Sequence, residues 1–286
     1  MSHDLTLHHD AEALANELLS AYERGVMVPT LLSARPGFDL NTAYEVEAVL
    51  KQFREAGGHK AVGRKVGYAN KALWRVLKLE TLVWAHMYDD TVHYSHRNSA
   101  TLSIAHPRSL KIEPEIVFGL KQPTLVDDVG APAATTVLAS TDWLAVGFEI
   151  IDCPFPEWQF QPSDFVACFG LHAALVVGER VQVRPDSIAA LVGELPRFKV
   201  RVSCSTSSKN EQFVEEGSGR NSLRSPAFCV AELSAAIARR FPSEPLRAGE
   251  IVSSGTLTAG HPADRGDLWK VEVEGLSLPP LTLRLT

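Results

Sequence analysis

The chain has 286 residues, of which 45% are hydrophobic and 22% are charged, and its formal net charge is −6. This composition excludes a wholly disordered chain, because enough apolar surface is present to offset the entropy lost on ordering. The acidic balance argues against a nucleic-acid or anionic-membrane binder, and the length suits two domains or one large domain with an N-terminal extension.

The chain carries no pattern typical of a membrane or secreted protein. No apolar run approaches the ~18 residues of a membrane span, and Met1-Ser2-His3-Asp4 opens without the basic start of a secretory signal. The four cysteines, at 153, 168, 204 and 229, form no CxxC pair, which argues against structural zinc. The simplest interpretation is a cytoplasmic protein with reduced thiols.

The first hundred residues read as mainly helical. Residues 10–24 have apolar side chains at helical spacing, with Asp10 as the cap. Residues 41–56 repeat the pattern and end at two glycines. A short strand is predicted at 65–67, and Asn70 is expected to cap a short helix after it.

Beyond residue 100 short β-rich runs dominate. We therefore predict an N-terminal helical region over 1–100 and a β-rich domain over 101–286. One helix follows Ser225-Pro226 and ends near Arg239-Arg240, and the polar stretch 203–224 is expected to be a hairpin or surface loop. The predicted strands are 112–120, 136–139, 144–152, 173–177, 198–204, 250–253, 269–273 and 281–285.

Two carboxylates interrupt an apolar run at Glu113 and Glu115. Side chains alternate along a strand, so both point to one face, about 7 Å apart. Pro114 between them places this segment near a strand end or edge. On a partly buried face the like charges repel, and a divalent cation that prefers oxygen ligands, such as magnesium or manganese, removes that cost. The alternative is an ordinary solvated strand face.

Glu149 lies in a nearly continuous apolar run and needs a partner there, either a cation shared with the other glutamates or a structural arginine. Asp152 is the neighbouring candidate, but it borders the predicted strand end.

Lys65 lies on a short strand between helices. Beside a metal and out of bulk water its pKa is expected to fall, so that its amine exchanges a proton near neutrality. The alternative for Lys65 is a surface lysine.

Six ordered segments, covering nearly the whole chain, resemble the 2-keto-4-pentenoate hydratase and 4-oxalocrotonate decarboxylase branch of the fumarylacetoacetate hydrolase superfamily. They are residues 63–67 (GRKVG), 111–116 (KIEPEI), 148–152 (FEIID), 217–223 (GSGRNSL), 246–251 (LRAGEI) and 254–258 (SGTLT). The resemblance implies an α+β fold, a mixed β-roll around a magnesium site preceded by a helical region. It also implies a homodimer or a ring of dimers.

The resemblance also implies the roles of individual residues. Glu113, Glu115 and Glu149 match the metal ligands, which bind Mg²⁺ or, as an alternative, Mn²⁺. Lys65 matches the active-site lysine, and Asp90, with Asp89 as the alternative, matches a catalytic aspartate. Thr256 matches a substrate-contacting hydroxyl, and backbone N–H groups around Gly170 and Leu171 match the loop that holds the substrate carboxylate.

These roles imply a magnesium-dependent lyase acting on a small 2-hydroxydienoate or 2-oxo-enoate from the breakdown of aromatic compounds. Hydration and decarboxylation both pass through a dienolate, whose oxyanion a bound metal stabilises. We favour the hydratase, with the decarboxylase as the alternative. A carbon–carbon hydrolase of the acylpyruvate type would need His93 or His96 as a base. A non-catalytic 2-oxo-acid binder or assembly partner is the fourth hypothesis.

The chain departs from the family pattern after the third glutamate. Phe169, Leu171 and His172 are bulkier than the small polar residues typical of the hydratases there. His172 is therefore either a packed histidine or a new acid–base group, and His261 is either a loop residue or part of the site. Three arginines are candidates for a second substrate carboxylate: Arg64, Arg108 and Arg220.

Overall fold

A computed structural model describes residues 2–124, 133–206 and 209–286. Seven α-helices lie in these ranges: α1 (Ser2–Arg24), α2 (Leu40–Ala56), α3 (Lys71–Leu77), α4 (Ala134–Ser140), α5 (Pro162–Ala167), α6 (Ile188–Glu194) and α7 (Pro226–Arg240).

The described strands form two sheets. The first seven are β1 (Ala61–Gly67), β2 (Val83–Tyr88), β3 (Val92–Tyr94), β4 (Ser99–Leu102), β5 (Leu110–Leu120), β6 (Thr141–Asp152) and β7 (His172–Val177). The others are β8 (Val181–Gln182), β9 (Lys199–Thr206), β10 (Lys209–Ser218), β11 (Ile251–Ser253), β12 (His261–Pro262), β13 (Leu268–Glu274) and β14 (Leu281–Leu285).

The larger sheet positions the candidate site. Its strand order is β2-β1-β11-β5-β6-β7-β3, with β12 paired to β5 and β8 to β6. The smaller sheet has the order β10-β9-β13-β14-β4. β5 runs antiparallel to β6 and to β11, whereas β1 runs parallel to β11. The predicted mixed α+β fold is confirmed.

The long central strands are buried on both faces and read as near-continuous apolar runs. Ile116, Phe118, Phe148 and Ile150 are fully buried, and they belong to a core that extends to helices α2 and α7. Burial of that many apolar side chains is the main stabilising contribution. A charged residue in these strands therefore needs a partner inside the protein.

Several predicted elements are confirmed with small changes in their bounds. α2 begins after Asp39, whose side chain accepts hydrogen bonds from the Asn41 and Thr42 backbone N–H groups. Asn70 caps α3 by accepting from Ala72 N. β9 and β10 form the hairpin expected within 203–224.

Two local predictions are wrong. Residues 136–139 lie in helix α4 rather than in a strand, because Ala134, Val137 and Leu138 bury one helical face although β-branched residues favour strands locally. α1 begins at Ser2 rather than at an Asp10 cap. Neither glycine nor proline interrupts residues 2–24, so nothing ends the helix before Gly25.

Strands on both sides of residue 100 share sheets. β1, β2 and β3 pair within the larger sheet, and β4 pairs with β14 in the smaller one. The division into regions 1–100 and 101–286 stays a prediction. Within the described ranges, no helix combines the length and the apolar character needed to cross a bilayer.

Candidate functional site

Three glutamates meet where β5 and β6 run side by side. Glu113 and Glu115 share a face of β5, and the strand register places Glu113 directly opposite Glu149. One carboxylate oxygen of each residue lies within 4.8 Å of those of the other two. Glu115 and Glu149 are fully buried and Glu113 is half-buried. The alternation predicted from sequence thus gathers three carboxylates, which we call the glutamate triad.

Glu149 has two cationic or polar partners. Lys65 Nζ donates to Glu149 Oε1 and Oε2 at 2.9 and 2.8 Å, and this lysine is only 2% exposed. His172 Nδ1 lies 2.8 Å from Glu149 Oε1, and its Nε2 lies 3.1 Å from Thr91 Oγ1. Lys65 is therefore a buried ion-pair partner rather than a surface lysine. The histidine, too, contacts the triad directly instead of only packing in the core.

Glu115 shows that the triad fits a divalent cation. Its Oε2 accepts hydrogen bonds from Ser253 Oγ at 2.5 Å and from Gly255 N at 2.8 Å. Its Oε1 is buried without a hydrogen-bond partner among the described residues. A buried carboxylate oxygen without a partner is costly. Three carboxylates supply the hard oxygen ligands that magnesium, manganese and calcium prefer, so a bound cation would satisfy this oxygen.

Burial and mutual repulsion shift the pKa values of the triad. Burial, with the charge of Glu149 added, raises the pKa of Glu113 to about 7. The same two causes raise the pKa of Glu115 well above its usual range. Burial also acts to raise the pKa of Glu149, but Lys65 and His172 outweigh it and the pKa is lowered. Glu149 is therefore the member of the triad that stays ionised most readily.

The three carboxylates raise the pKa of Lys65 when no cation is bound. Burial acts to lower this pKa, but the charges of Glu149, Glu115 and Glu113 outweigh burial. A cation on the triad would offset those charges, so the lowered pKa expected beside a metal stays a prediction.

A cavity of about 650 Å³ opens beside Lys65 and Glu113. Leu171 and Thr256 also line it, and Thr256 Oγ1 donates to the Thr258 carbonyl at 2.9 Å. Gly170 lies behind Lys65: a Cβ there would come within 2.6 Å of Lys65 Cδ, and its φ of +59° favours glycine. Leu171 and Thr256 therefore line the cavity, whereas Gly170 lies behind Lys65, and the substrate-binding roles stay predictions.

One backbone contact bears on how this loop binds a carboxylate. The Leu171 N–H donates to the Cys168 carbonyl at 2.8 Å. That bond would have to break before this N–H could hold a substrate carboxylate. The role of the loop stays a prediction.

Asp90 does not join the triad. Arg54 donates to both of its carboxylate oxygens, at 2.5 and 2.7 Å, and His59 lies 3.4 Å away. Asp89, the alternative, accepts from the Lys60 backbone N–H. Neither aspartate lines the cavity. The catalytic role predicted for Asp90 stays a prediction that no contact in the described residues supports.

The other candidates have partners elsewhere or lie outside the cavity. Asp152 binds Arg108, whose Nε donates to Oδ2 at 2.8 Å, so it is the residue with a structural arginine partner. Arg64 points away from the triad and meets Glu250 at 3.5 Å. His93 and His96, which a hydrolase would need, do not line the cavity.

Sequence reasoning missed several residues of the site. His261 Nε2 lies 2.8 Å from Glu215, which lines the cavity, and no sequence pattern singled out that glutamate. Ser253 and Gly255 reach Glu115 from the strand and loop after it. For His172 a signal existed, since it is a histidine within an otherwise apolar segment.

Gly260 offers a test of how tightly Glu113 is placed. A Cβ at this position would lie 2.8 Å from Glu113 Oε1, closer than ordinary contact. Because the carboxylate is the mobile end of its side chain, we expect Gly260→Ala to keep the fold and displace the carboxylate. Magnesium affinity measured by calorimetry should fall about tenfold. Gly193→Ala, in α6, is the matched control, and equal affinities in all three proteins would contradict the placement.

The pKa of Glu113 also predicts a pH dependence of metal binding. A cation binds the carboxylate form, so below the pKa of about 7 it must displace a proton. Magnesium affinity should therefore decrease from pH 8 to pH 6, by up to about tenfold per unit for each displaced proton. Calorimetry at pH 6 in two buffers of different ionisation enthalpy counts the protons released. Release of none would contradict the raised pKa.

Comparison with known proteins finds similarity to hydratases and to a decarboxylase. It is 27% identical over 267 residues to a 2-hydroxyhexa-2,4-dienoate hydratase of Comamonas testosteroni, covering 93% of this chain and 94% of the hydratase. It is 28% identical over 269 residues to a 4-oxalocrotonate decarboxylase of Pseudomonas sp. (strain CF600), covering 93% and 92%. No family model matches the chain.

Solved structures agree on the fold. The 4-oxalocrotonate decarboxylase of Pseudomonas putida G7, complexed with magnesium and adipate, superposes with a TM-score of 0.83 at 23% identity, covering 97% of this chain and 98% of that one. A fumarylpyruvate hydrolase of Pseudomonas aeruginosa, in complex with Mn²⁺ and pyruvate, gives 0.51 at 15% identity, covering 78% and 88%.

Proposed function

We propose that the chain is a divalent-metal-dependent hydratase of a 2-hydroxydienoate or 2-oxo-enoate. It is a relative of 2-keto-4-pentenoate hydratases and of a 4-oxalocrotonate decarboxylase, and it has the fumarylacetoacetate hydrolase-like fold. The observation that carries the proposal is the meeting of the glutamate triad with Lys65 beside an open cavity. Among its relatives the name hydratase is more frequent than decarboxylase, which favours hydration.

The triad residues Glu113, Glu115 and Glu149 would hold the cation, magnesium or manganese. When bound, it supplies Lewis-acid stabilisation for negative charge on the 2-oxygen of the substrate. The unpartnered Oε1 of Glu115 and the raised pKa of Glu113 both support cation binding, because a cation offsets the electrostatic repulsion among the three carboxylates. Thr256 and the Gly170–Leu171 loop are the proposed contacts of the remaining substrate oxygens.

Lys65 is the proposed proton donor. Hydration places the hydroxyl of a water molecule on one carbon and a proton on the neighbouring carbon. Lys65 Nζ lies against the triad and lines the cavity, so in its ammonium form it can deliver that proton to the substrate skeleton, and the proton given up by the water molecule restores the ammonium. Glu149 holds the amine in place through two hydrogen bonds. His172 in turn orients Glu149 from the side facing Thr91.

Decarboxylation is the second candidate. The 28% identical relative named 4-oxalocrotonate decarboxylase favours it, and it covers 93% of this chain, as the 2-hydroxyhexa-2,4-dienoate hydratase does. Both reactions need the same ligands and the same lysine. They differ in product, because only decarboxylation releases carbon dioxide.

One experiment tests the proposal. Chelator-treated protein is mixed with 2-hydroxypenta-2,4-dienoate, and loss of the dienol ultraviolet absorbance is followed before and after magnesium is added. We expect loss only with metal, and none with Glu113→Ala. Glu216→Ala, an exposed glutamate that pairs with Lys199, is the matched control. Carbon dioxide release from 4-oxalocrotonate would instead support the decarboxylase. The proposal fails if neither substrate reacts and oxalate shows no magnesium-dependent binding.

Two further properties belong to the proposal. The free cysteines among the described residues fit a reducing cytoplasm. Self-association as a dimer or a ring of dimers, which the family resemblance implies, would be tested by light scattering after size-exclusion chromatography.

A further inference from the structure

An aromatic wall lines one side of the triad cavity. It consists of Tyr68, Trp158, Phe160 and Phe165, all of which line the cavity. Phe160 and Phe165 stack with ring centroids 6.4 Å apart, and Trp158 follows at 6.5 Å from Phe160. Tyr68 meets Phe165 edge-on at 5.5 Å. The wall is thus continuous from one aromatic side chain to the next.

The wall begins at the proposed proton donor. Lys65 Nζ lies 5.2 Å from the centre of the Phe165 ring. At its other end, Lys111 Nζ lies 3.9 Å from the centre of the Trp158 ring. Lys111 is two residues from Glu113 on the same face of β5. A substrate held at the triad would therefore lie beside this wall.

The wall is fixed in place by the surrounding structure. Trp158 Nε1 donates to Ser109 Oγ at 2.7 Å. Glu157 and Trp158 have φ values of 55° and 58°, in the left-handed region that few non-glycine residues adopt. Such backbone strain is typical of functional positions. Gly67 leaves space for Phe165, since a Cβ there would come within 2.4 Å of its ring.

The cavity extends beyond the triad over apolar side chains. The aromatic wall bounds it there, together with Leu73 and Leu77. An apolar group is what such a surface accommodates best.

Among the described residues, no arginine lines the cavity, whereas Glu113 and Glu215 do. Arg64 and Arg108 are bound to Glu250 and Asp152. Arg220, the third arginine considered for a second carboxylate, lines a neighbouring cavity. Lys111 lies at one end of the wall, but its ammonium lies over the Trp158 ring and its charge acts to lower the pKa of Glu113.

We propose that the aromatic wall binds an aryl substituent at the end of the substrate remote from its carboxylate, so that the substrates are aryl-substituted 2-hydroxydienoates or 2-oxo-enoates rather than dicarboxylates. This inference rests on the proposed function, because it assumes that the triad and its cation hold the 2-oxo-acid end.

Calorimetry with three 2-oxo acids tests it. Pyruvate, 4-phenyl-2-oxobutanoate and 2-oxoadipate are titrated into the protein with magnesium and, separately, with chelator. We expect the phenyl compound to bind at least tenfold more tightly than pyruvate, and 2-oxoadipate to gain nothing. Phe160→Ala should remove the gain of the phenyl compound and leave pyruvate affinity unchanged. Phe228→Ala, an exposed phenylalanine of α7, should change neither.

Each outcome bears on a different claim. Magnesium-dependent binding of pyruvate without a phenyl gain overturns the subsite and leaves the proposed function standing. Tighter binding of 2-oxoadipate than of the phenyl compound also overturns it, in favour of a dicarboxylate substrate. Failure of every 2-oxo acid to bind with magnesium overturns the proposed function and the subsite together. If Phe160→Ala does not fold, Leu73→Ala, at a 44% exposed side chain, tests the same surface.

Discussion

Replacing Glu115 by glutamine should abolish magnesium binding and at the same time stabilise the metal-free protein. The side chain keeps its shape, and its amide oxygen can accept from Ser253 and Gly255 as Glu115 Oε2 does. The new amide NH₂ takes the place of the unpartnered Oε1, beside the other two carboxylates. A hydrogen-bond donor then occupies the position at which an acceptor repelled the other two carboxylates.

The stabilisation should depend on pH. The pKa of Glu115 is raised in the folded protein by burial and by Glu149. Between the unfolded pKa and the folded pKa the native state therefore holds more protons than the unfolded state, and this residue's contribution to stability falls as pH rises. The glutamine variant lacks that loss. Its melting temperature in chelator should exceed that of the wild type at pH 8, and the difference should shrink towards pH 5.

The stabilisation and the loss of magnesium affinity should both be large enough to measure. Each unit by which the pKa is raised corresponds to about 1.4 kcal/mol, and each kcal/mol shifts the melting temperature of a chain of this size by about 2–4 °C. Magnesium affinity should fall by more than the 10- to 100-fold typical of losing an outer partner of a ligand. Glu216→Gln is the control. A variant that binds magnesium normally would remove Glu115 from the proposed ligand set.

The strand-borne part of the site was predictable from sequence because it depends on local periodicity. Glu113 and Glu115 share a face whatever strand lies beside them, and a lone carboxylate such as Glu149 in an apolar run needs a partner in any fold. The partner itself was not predictable from these patterns. An arginine was as good a candidate for Glu149 as Lys65, because only the strand order β1-β11-β5-β6 brings Lys65 within reach of Glu149.

The remaining parts depend on contacts between residues distant in sequence. Asp90 forms an ion pair with Arg54 of α2, and the local sequence around neither residue indicates that pair. Glu215 of β10 lines the cavity and contacts His261 of β12, which is 46 residues away in sequence. In α4, burial against its neighbours overrides the strand preference of its β-branched residues. Tertiary packing decided these positions.

Replacing Lys65 by methionine should have the opposite pattern, with stability lost and metal binding kept. Lys65 is 2% exposed and contributes the ammonium that both oxygens of Glu149 accept from. Without it Glu149 keeps His172 but gains no compensation for the repulsion of the other two glutamates. Breaking a buried ion pair by removing one partner costs about 3–5 kcal/mol.

The metal should offset most of that cost. In chelator the melting temperature of Lys65→Met should fall by about 6–20 °C, at 2–4 °C for each kcal/mol. With saturating magnesium the deficit should narrow, because the cation takes over the neutralisation of the triad. Magnesium affinity should be equal to or higher than that of the wild type, since the ammonium no longer competes for Glu149. Turnover should fall by at least about 10²-fold, as expected for removal of an acid–base group.

This combination separates a proton donor from a metal ligand. A triad variant loses metal binding and turnover together, whereas Lys65→Met loses turnover while the metal stays bound. Lys111→Met is the matched control, since Lys111 lines the same cavity but lies over Trp158 rather than on a carboxylate. Its stability in chelator should stay near that of the wild type. If Lys65→Met were as stable in chelator and as active with magnesium as the wild type, Lys65 would be neither the charge that balances Glu149 nor the proton donor of the reaction.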